Sequence, residues 1–301
     1  MTLVVLGVWP LAGITSGSVD PQVARQTVRA ALDAGIDTFD TAYSYGYQGE
    51  AELRLGEALR ERRRSPTAAP PRVIGKVGQR WTADRKRYTD GTPRQLVADA
   101  EESLRRLQIP QFDHLLLHAV DPQVDIRRSA EALDGLRRRG LALEIGVSNA
   151  NVDELIAFAA CVPCASLQCP LNLLQPQSLD PLIATAHRLG VGTFAYWVLM
   201  KGMLAGKISR EQSFPAGDSR PNYDIFQGAA RERAHDVVDR LRAIAVEHRT
   251  TVAKLAIGWA LSQPGVHGAL VGAKSPSQIL ETAGATPLAA EVFDLVNHVV
   301  T

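Results

Sequence analysis

A chain of 301 residues suffices for one large barrel or two ordinary domains, and length alone does not separate them. Apolar residues make up 46%, and 33 basic side chains nearly balance 32 acidic ones; the formal net charge of +1 offers no field for nucleic acid and no polybasic arm for a membrane. No apolar run approaches membrane-spanning length and no basic region precedes the apolar start, so the expected location is the cytoplasm.

Short apolar runs alternate with amphipathic segments along nearly the whole chain. The first candidate strand, residues 3–7, precedes a helical pattern over 22–34 that closes at Gly35, a residue that relieves strain where a helix ends. The second, 38–41, carries Asp40 at its end, with Tyr45 in the loop that leaves it. The third, 73–76, ends in Lys76 and gives way to a charge-rich stretch over 81–91, read as a loop. Thr92-Pro93 then opens a helix over 94–107, and the fourth strand, 114–118, ends in His118. Gly140 closes the next helical pattern; the fifth strand, 143–147, runs into Ser148-Asn149, and the sixth, 166–168, ends in Gln168. A helical pattern over 180–189 closes at Gly190, followed by strands at 192–195 and 269–272 with a long irregular segment, 207–227, between them.

Eight strands alternating with helices predict an α/β fold, a single (β/α)8 TIM barrel over residues 1–301 with extended loops over the C-terminal face. The competing open sheet, in its dinucleotide-binding form, requires G-x-G-x-x-G after a strand near one end, and no such string occurs. Cys161-Val-Pro-Cys164 is formally a C-x-x-C pair. It falls between a helix end and the next strand, so Cys161, Cys164 and Cys169 are read as small packed hydrophobes and no metal site is expected.

Asp40, Tyr45, Lys76 and His118 share one predicted location, the mouth formed by strand C-terminal ends. Individually they have ordinary roles: a turn cap, a loop aromatic, a solvated strand end and a core histidine. Together they make a proton donor with an oriented electrophile, suited to reducing a C=O group. A phenol titrates near pH 10 in water; a lysine ammonium beside Tyr45, held by the Asp40 carboxylate, is expected to lower that value.

At these residues the chain resembles the aldo-keto reductase family from about Leu6 to Ala285. The matching segments, in order, include Gly-Val-Trp9-Pro-Leu-Ala-Gly, Phe-Asp40-Thr-Ala with Tyr45-Gly46, Gly-Lys76-Val-Gly, Leu-Leu-His118, Ile-Gly-Val-Ser148-Asn149, Leu-Gln168, Ala-Tyr196 and Val-Gly-Ala-Lys274-Ser-Pro-Ser-Gln278. Lys-Val-Gly-Gln-Arg-Trp81, Phe-Pro-Ala-Gly-Asp218 and Phe-Gln-Gly228 look closest to the bacterial stress- and inositol-linked branch. The resemblance implies a barrel that binds a nicotinamide cofactor without a Rossmann fold, with Asp40, Tyr45, Lys76 and His118 as catalytic tetrad and Tyr45 as general acid.

It further implies that Ser148, Asn149 and Gln168 hold the carboxamide and that Tyr196 stacks on the nicotinamide ring. Leu199, Lys201, Gly202 and Lys207 fall where similar proteins wrap the pyrophosphate, and Arg220 lies in the loop that closes over it. Lys274, Ser275 and Gln278 match the adenosine-phosphate site, with Glu281 and Thr282 toward adenine. A lysine and a hydroxyl there suit a 2′-phosphate, which favours NADPH over NADH. Three features depart from the family's pattern: Thr282 stands where many relatives have asparagine, Trp197-Val198 replaces a Ser-Pro pair, and much of the N-terminal hairpin that usually plugs the barrel bottom is missing.

Trp9, Tyr43, Trp81 and Trp197 are expected to line an apolar mouth for a small-molecule carbonyl substrate, with Arg80 and Arg85 near enough in sequence to meet a charged one. The expected function is an NADPH-dependent reductase of aldehydes, ketones or sugars, with neither nucleic acid nor membrane as partner and its oligomeric state open. Two alternatives stand beside it: a nucleotide-binding regulatory protein similar to the potassium-channel beta subunits, and an isomerase or dehydratase that keeps the nucleotide for redox-neutral chemistry.

Overall fold

The computed structural model describes residues 3–14, 17–63 and 70–300. Its strands in chain order are β1 (Val4–Gly7), β2 (Thr38–Asp40), β3 (Arg72–Val77), β4 (Gln79–Trp81), β5 (Arg87–Thr89), β6 (Phe112–Leu117), β7 (Ala142–Ser148), β8 (Ser166–Pro170), β9 (Gly192–Tyr196) and β10 (Val266–Gly272). All but β4 and β5 close into a barrel in the order β1-β10-β9-β8-β7-β6-β3-β2, and every neighbouring pair is parallel. The helices are α1 (Pro21–Asp33), α2 (Glu50–Arg63), α3 (Pro93–Leu107), α4 (Ile126–Arg138), α5 (Val152–Cys161), α6 (Ala184–Arg188), α7 (Gly228–Glu247), α8 (Val252–Leu261), α9 (Pro276–Thr282) and α10 (Ala290–Val300).

Local signals set the helix ends. The Asp20 carboxylate accepts from the backbone N–H groups of Gln22 and Val23 at 2.7 and 3.2 Å, and Pro21 occupies the first turn of α1. Asn151 and Glu154 form a reciprocal capping box at the start of α5. Gly35, Gly140 and Gly190, at φ +85°, +75° and +71°, take the left-handed conformation expected after a helix.

Inside the barrel, Val5, Ile74, Leu116, Phe194 and Leu270 from five strands form one buried apolar cluster. Strand side chains alternate between faces, so the residue two positions on shares the inward face. Lys76 follows Ile74 in this way, His118 follows Leu116 and Tyr196 follows Phe194. An apolar layer therefore supports a polar one at the C-terminal mouth. The alternate residues, among them Phe39, Val73, Leu115, Val147 and Leu167, pack outward with the helices in the larger core.

Two segments differ from expectation. Residues 81–91, read as a loop, take part in an antiparallel hairpin in which Gln79 pairs with Thr89, Arg80 with Tyr88 and Trp81 with Arg87. Its charged, exposed residues lack the apolar alternation that marks a strand, so the pattern gave no sign of pairing. The helix expected from residue 180 opens with a π-helical turn over Leu179–Ile183 before α6, and Asp180 within that turn is extended at φ −131° and ψ 125°, the conformation favoured before Pro181. The three cysteines are free thiols, and burial pushes Cys164 and Cys169 up to about 12, far from a reactive thiolate. Among the described residues no helix is long and apolar enough to cross a membrane.

Candidate active site

Neighbouring β2 and β3 bring Asp40 and Lys76 together. The Lys76 ammonium donates to Asp40 Oδ1 at 2.5 Å, with both side chains almost wholly buried at 1% and 2% exposure. Burial pushes the carboxyl up and the ammonium down, and each charge resists the other's shift. Gln168, midway along β8, donates through Nε2 to the same Asp40 oxygen at 2.8 Å. A residue expected to face a cofactor is thereby also tied to the ion pair.

Tyr45 lies beyond β2, and Lys76 Nζ stands over its ring, 4.9 Å from the centroid. The ring meets Trp9 and His118 edge-on, with centroids 5.0 and 5.8 Å away. The expected lowering of the phenol by lysine does not occur. Burial, reinforced by the Asp40 charge, holds Tyr45 well above its ordinary value, and the charge that opposes this is Arg87. The physical reason is that burial outweighs any nearby cation, and Lys76 is already paired with Asp40. Burial, with the charges of Lys76 and Arg87, pushes His118 well below its ordinary value, so the imidazole is neutral. Its Nδ1 lies 3.5 Å from the hydroxyl of Ser44, a buried residue that sequence reasoning missed.

Around this centre, Asn149 adopts φ +56° after β7, donates through Nδ2 to the His118 carbonyl at 2.8 Å and accepts at Oδ1 from the Tyr196 hydroxyl at 2.6 Å. Buried Ser148 accepts from Asn149 Nδ2 at 3.2 Å. Trp197 packs edge-on between Tyr196 and Tyr223 at 5.3 and 5.6 Å, and Lys201 Nζ lies over Trp197 and Tyr223 at 4.9 and 4.2 Å. The structure thus places Trp197 in the wall beside Tyr196, apart from the Trp9–Tyr45 contact. Leu199 leads into a left-handed turn with Met200, Lys201 and Gly202 at φ +40°, +51° and +99°, the last a conformation that glycine alone adopts without strain.

Lys207 is ion-paired with Glu281 of α9. Arg220 makes a two-pronged contact with Asp218, Nε to Oδ1 at 2.9 Å and Nη2 to Oδ2 at 2.6 Å. Lys274 shares that neighbourhood, its ammonium lowered by burial and by the Arg220 charge against the pull of Asp218. The Lys274 backbone N–H donates to Gln278 at 2.8 Å, and the Ser275 hydroxyl lies 3.0 Å from that of Ser277. Thr282 is buried, and its hydroxyl donates to Ile279 O at 3.1 Å within its own helix. Two cations beside one carboxylate, a glycine-containing left-handed turn and an aromatic ring at the strand ends fit the phosphates and the flat ring of a nicotinamide nucleotide.

The mouth residues also separate. Trp81 donates through Nε1 to Ser44 O at 2.9 Å. Tyr43 is clamped between Arg80 and Arg106, 4.9 and 4.6 Å from its ring, and Arg80 is ion-paired with Asp99. Arg85 covers Tyr47 at 4.7 Å. The arginine that faces the candidate centre is Arg87, over Trp9 and Trp81 at 4.8 and 4.6 Å. The hairpin register, which sets Arg87 opposite Trp81, brings it there, and the sequence carries no signal of that pairing.

A closed parallel barrel whose strand ends gather a buried carboxylate–ammonium pair, a protonated phenol and a neutral imidazole has the makings of a barrel enzyme working by proton transfer. The chain belongs to the aldo/keto reductase family, whose model matches residues 3–301. It is 31% identical over 275 residues to "Aldo-keto reductase YhdN" of Bacillus subtilis (strain 168), covering 91% of this chain and 82% of that protein. The "NADH-specific methylglyoxal reductase" of Escherichia coli (strain K12) is 26% identical over 294 residues, covering 93% and 88%. Among solved structures, the glycerol dehydrogenase AKR11B4 from Gluconobacter oxydans superposes with a TM-score of 0.89 at 31% identity, covering 99% of this chain and 90% of that one. The chain is therefore an NAD(P)H-dependent oxidoreductase acting on CH–OH or C=O groups.

Proposed function

We propose that the protein is an NADPH-dependent reductase of small aldehydes, ketones or sugars, with Tyr45 as general acid. The observation that supports this most is the Tyr45 phenol itself, kept protonated between the buried Lys76–Asp40 pair and neutral His118. When bound, the nicotinamide supplies a hydride, and with it the electron pair, to the carbonyl carbon. Tyr45 gives its proton to the carbonyl oxygen, so carbonyl, reduced nucleotide and one proton yield alcohol and oxidised nucleotide. Asp40, itself held by Gln168, keeps the Lys76 ammonium in place over the Tyr45 ring. In the tautomer in which His118 Nδ1 accepts from the Ser44 hydroxyl, Nε2 would donate to the carbonyl oxygen.

Ser148, Asn149 and Gln168 would orient the carboxamide, with Tyr196 against the ring; Leu199, Lys201, Gly202, Lys207 and Arg220 would surround the pyrophosphate. Lys274, Ser275 and Gln278 would take the 2′-phosphate, with Glu281 beyond. NADPH is favoured by the cations Lys274 and Arg220 side by side, while the NADH-specific name of the Escherichia coli relative makes this the part to test first. Relatives named for methylglyoxal and glycerol favour small oxygenated substrates. Tryptophan-fluorescence titration with NADPH and NADH, followed by a carbonyl panel monitored for nucleotide oxidation, tests the reading. Tyr45→Phe should lose about 10²- to 10⁴-fold in turnover with an unchanged affinity for NADPH. Normal turnover by that variant would remove Tyr45 as the acid, and tight nucleotide binding with no turnover on any carbonyl would overturn the reductase reading.

A further inference from the structure

The β4–β5 hairpin puts a guanidinium at the mouth whose charge bears on Tyr45 and His118 but which takes no part in the proton transfer itself. Arg87 Cζ lies 4.8 Å from the Trp9 ring and 4.6 Å from the Trp81 ring. Trp9 in turn touches Tyr45, and Trp81 is fixed by its hydrogen bond to Ser44 O. Only one indole therefore separates Arg87 from the phenol. Neighbouring arginines are committed to carboxylates, Arg80 to Asp99 and Arg106 to Glu52 and Glu102. Among the described residues Arg87 makes no salt bridge; the groups that act on it electrostatically are the phenols of Tyr45, Tyr47 and Tyr223.

A guanidinium stacked on rings engages its faces and leaves the N–H donors in its plane, where their spacing matches a carboxylate or phosphate. Contact with two indoles restrains the Arg87 guanidinium before any ligand arrives, which reduces the ordering cost of binding. Arg87 as a whole remains exposed, so an incoming molecule reaches it from solvent.

We propose that Arg87 is the specificity residue of this site and selects carbonyl substrates that carry an anionic group, carboxylate or phosphate, a few bonds from the reacting C=O. This rests on the mouth being the site of carbonyl reduction. Partial desolvation by its neighbours, which lowers the Arg87 guanidinium from its ordinary value, accords with a cation lacking its full hydration and receptive to an anion.

The test compares kcat/KM for matched substrates: succinic semialdehyde against its methyl ester, and glyceraldehyde 3-phosphate against glyceraldehyde. The wild type should favour the charged member of at least one pair by about 10- to 100-fold, the range of a charge-assisted two-pronged contact, and the pair that responds says whether carboxylate or phosphate is selected. In Arg87→Met that ratio should fall to about one, and Arg87→Lys should keep part of it, because a point charge replaces a planar fork. A wild-type ratio near one, or a ratio retained in Arg87→Met, overturns the proposal. A second readout is independent of turnover: succinate or inorganic phosphate, titrated into enzyme saturated with NADP+, should quench tryptophan fluorescence in the wild type and not in Arg87→Met. If no carbonyl is reduced while this quenching depends on Arg87, the reductase reading has failed and the anion site stands. Quenching that is absent, or equal in both proteins, removes the site.

Discussion

Replacing Asp40 by asparagine leaves the Lys76 ammonium buried without its counter-charge. The wild-type pair is 2.5 Å apart, with 1% and 2% of the two side chains exposed, so water does not take over, and Glu52, whose charge also acts on Lys76, is ion-paired with Arg106. Breaking a buried pair from one side costs about 3–5 kcal/mol. An independent bound comes from titration. Lys76 escapes the unpaired state by releasing its proton, which at pH 7 costs about 5 kcal/mol, starting from its reference value of 10.5. The two figures agree, and the second carries a sign. In folded Asp40→Asn the lysine is neutral, whereas in the unfolded chain it stays protonated up to about 10.5. The unfolded state then binds the extra proton, and the variant regains about 1.4 kcal/mol of stability for each unit that pH rises above 7. Urea denaturation of wild type and Asp40→Asn at pH 7 and pH 9 reads this directly: the deficit should shrink by about 2.7 kcal/mol. Adding Lys76→Met to Asp40→Asn should recover most of the deficit, since the double variant buries no charge. A deficit independent of pH, or a double variant as unstable as the sum of the singles, would refute the claim that an uncompensated ammonium is the cause.

Two further outcomes follow from particular side chains. Glu52 is fully buried in α2 and pushed up to about 7, chiefly by burial, despite its bond to Arg106. The folded state holds that proton more tightly than the unfolded chain, so stability falls as pH rises from about 4.5 to about 7, by about 3 kcal/mol in all. Glu52→Gln should remove this slope, and denaturation midpoints at pH 5 and pH 8 that differ as much in the variant as in the wild type would contradict it. Lys274→Met should weaken NADPH binding about 10- to 100-fold and leave NADH nearly unchanged, as measured by fluorescence titration; equal losses for both nucleotides would place Lys274 away from a 2′-phosphate.

What was legible in the sequence follows from the strand period. Asp40, Lys76, His118 and Gln168 each close an apolar run, and a run that ends in a polar group is visible without coordinates. The barrel was visible for the same reason: its parallel strands, buried on both faces, read as short continuous apolar stretches. What stayed hidden depends on pairing across the chain or on the rotation of one element. Nothing near Tyr43 in sequence announces Arg106, which arrives from α3 to cover its ring. The orientation of Thr282 depends on how α9 is turned, and the helix turns its hydroxyl onto Ile279 O. Arg87 was passed over in favour of Arg80 and Arg85 because a charged hairpin of three-residue strands carries no apolar alternation, so its register was unreadable. The Tyr45 phenol was assigned a shift of the wrong sign because spacing along the chain indicates proximity to Lys76 but not burial, and burial is the larger effect.

That correction has a kinetic consequence. If the phenol were lowered toward neutrality, carbonyl reduction would decline as pH rose through 7 to 8, because the acid would lose its proton. With Tyr45 held well above its ordinary value, the acid form persists throughout that range, and reduction should be nearly independent of pH from about 6 to 9 as far as Tyr45 is concerned. His118, held well below its ordinary value, stays neutral over the same interval and adds no inflection. Alcohol oxidation runs the proton the other way and requires the tyrosinate, whose fraction grows about tenfold per pH unit below the phenol's pKa. The two directions should therefore diverge: kcat/KM for reduction flat, and kcat/KM for oxidation of the corresponding alcohol rising with a slope near one up to at least pH 9. Measuring both on one substrate pair in a constant-ionic-strength buffer series tests this. A reduction profile that bends down near pH 7 to 8 would mean that Lys76 or the bound nucleotide lowers the phenol after all, overcoming the burial that sets it in this arrangement.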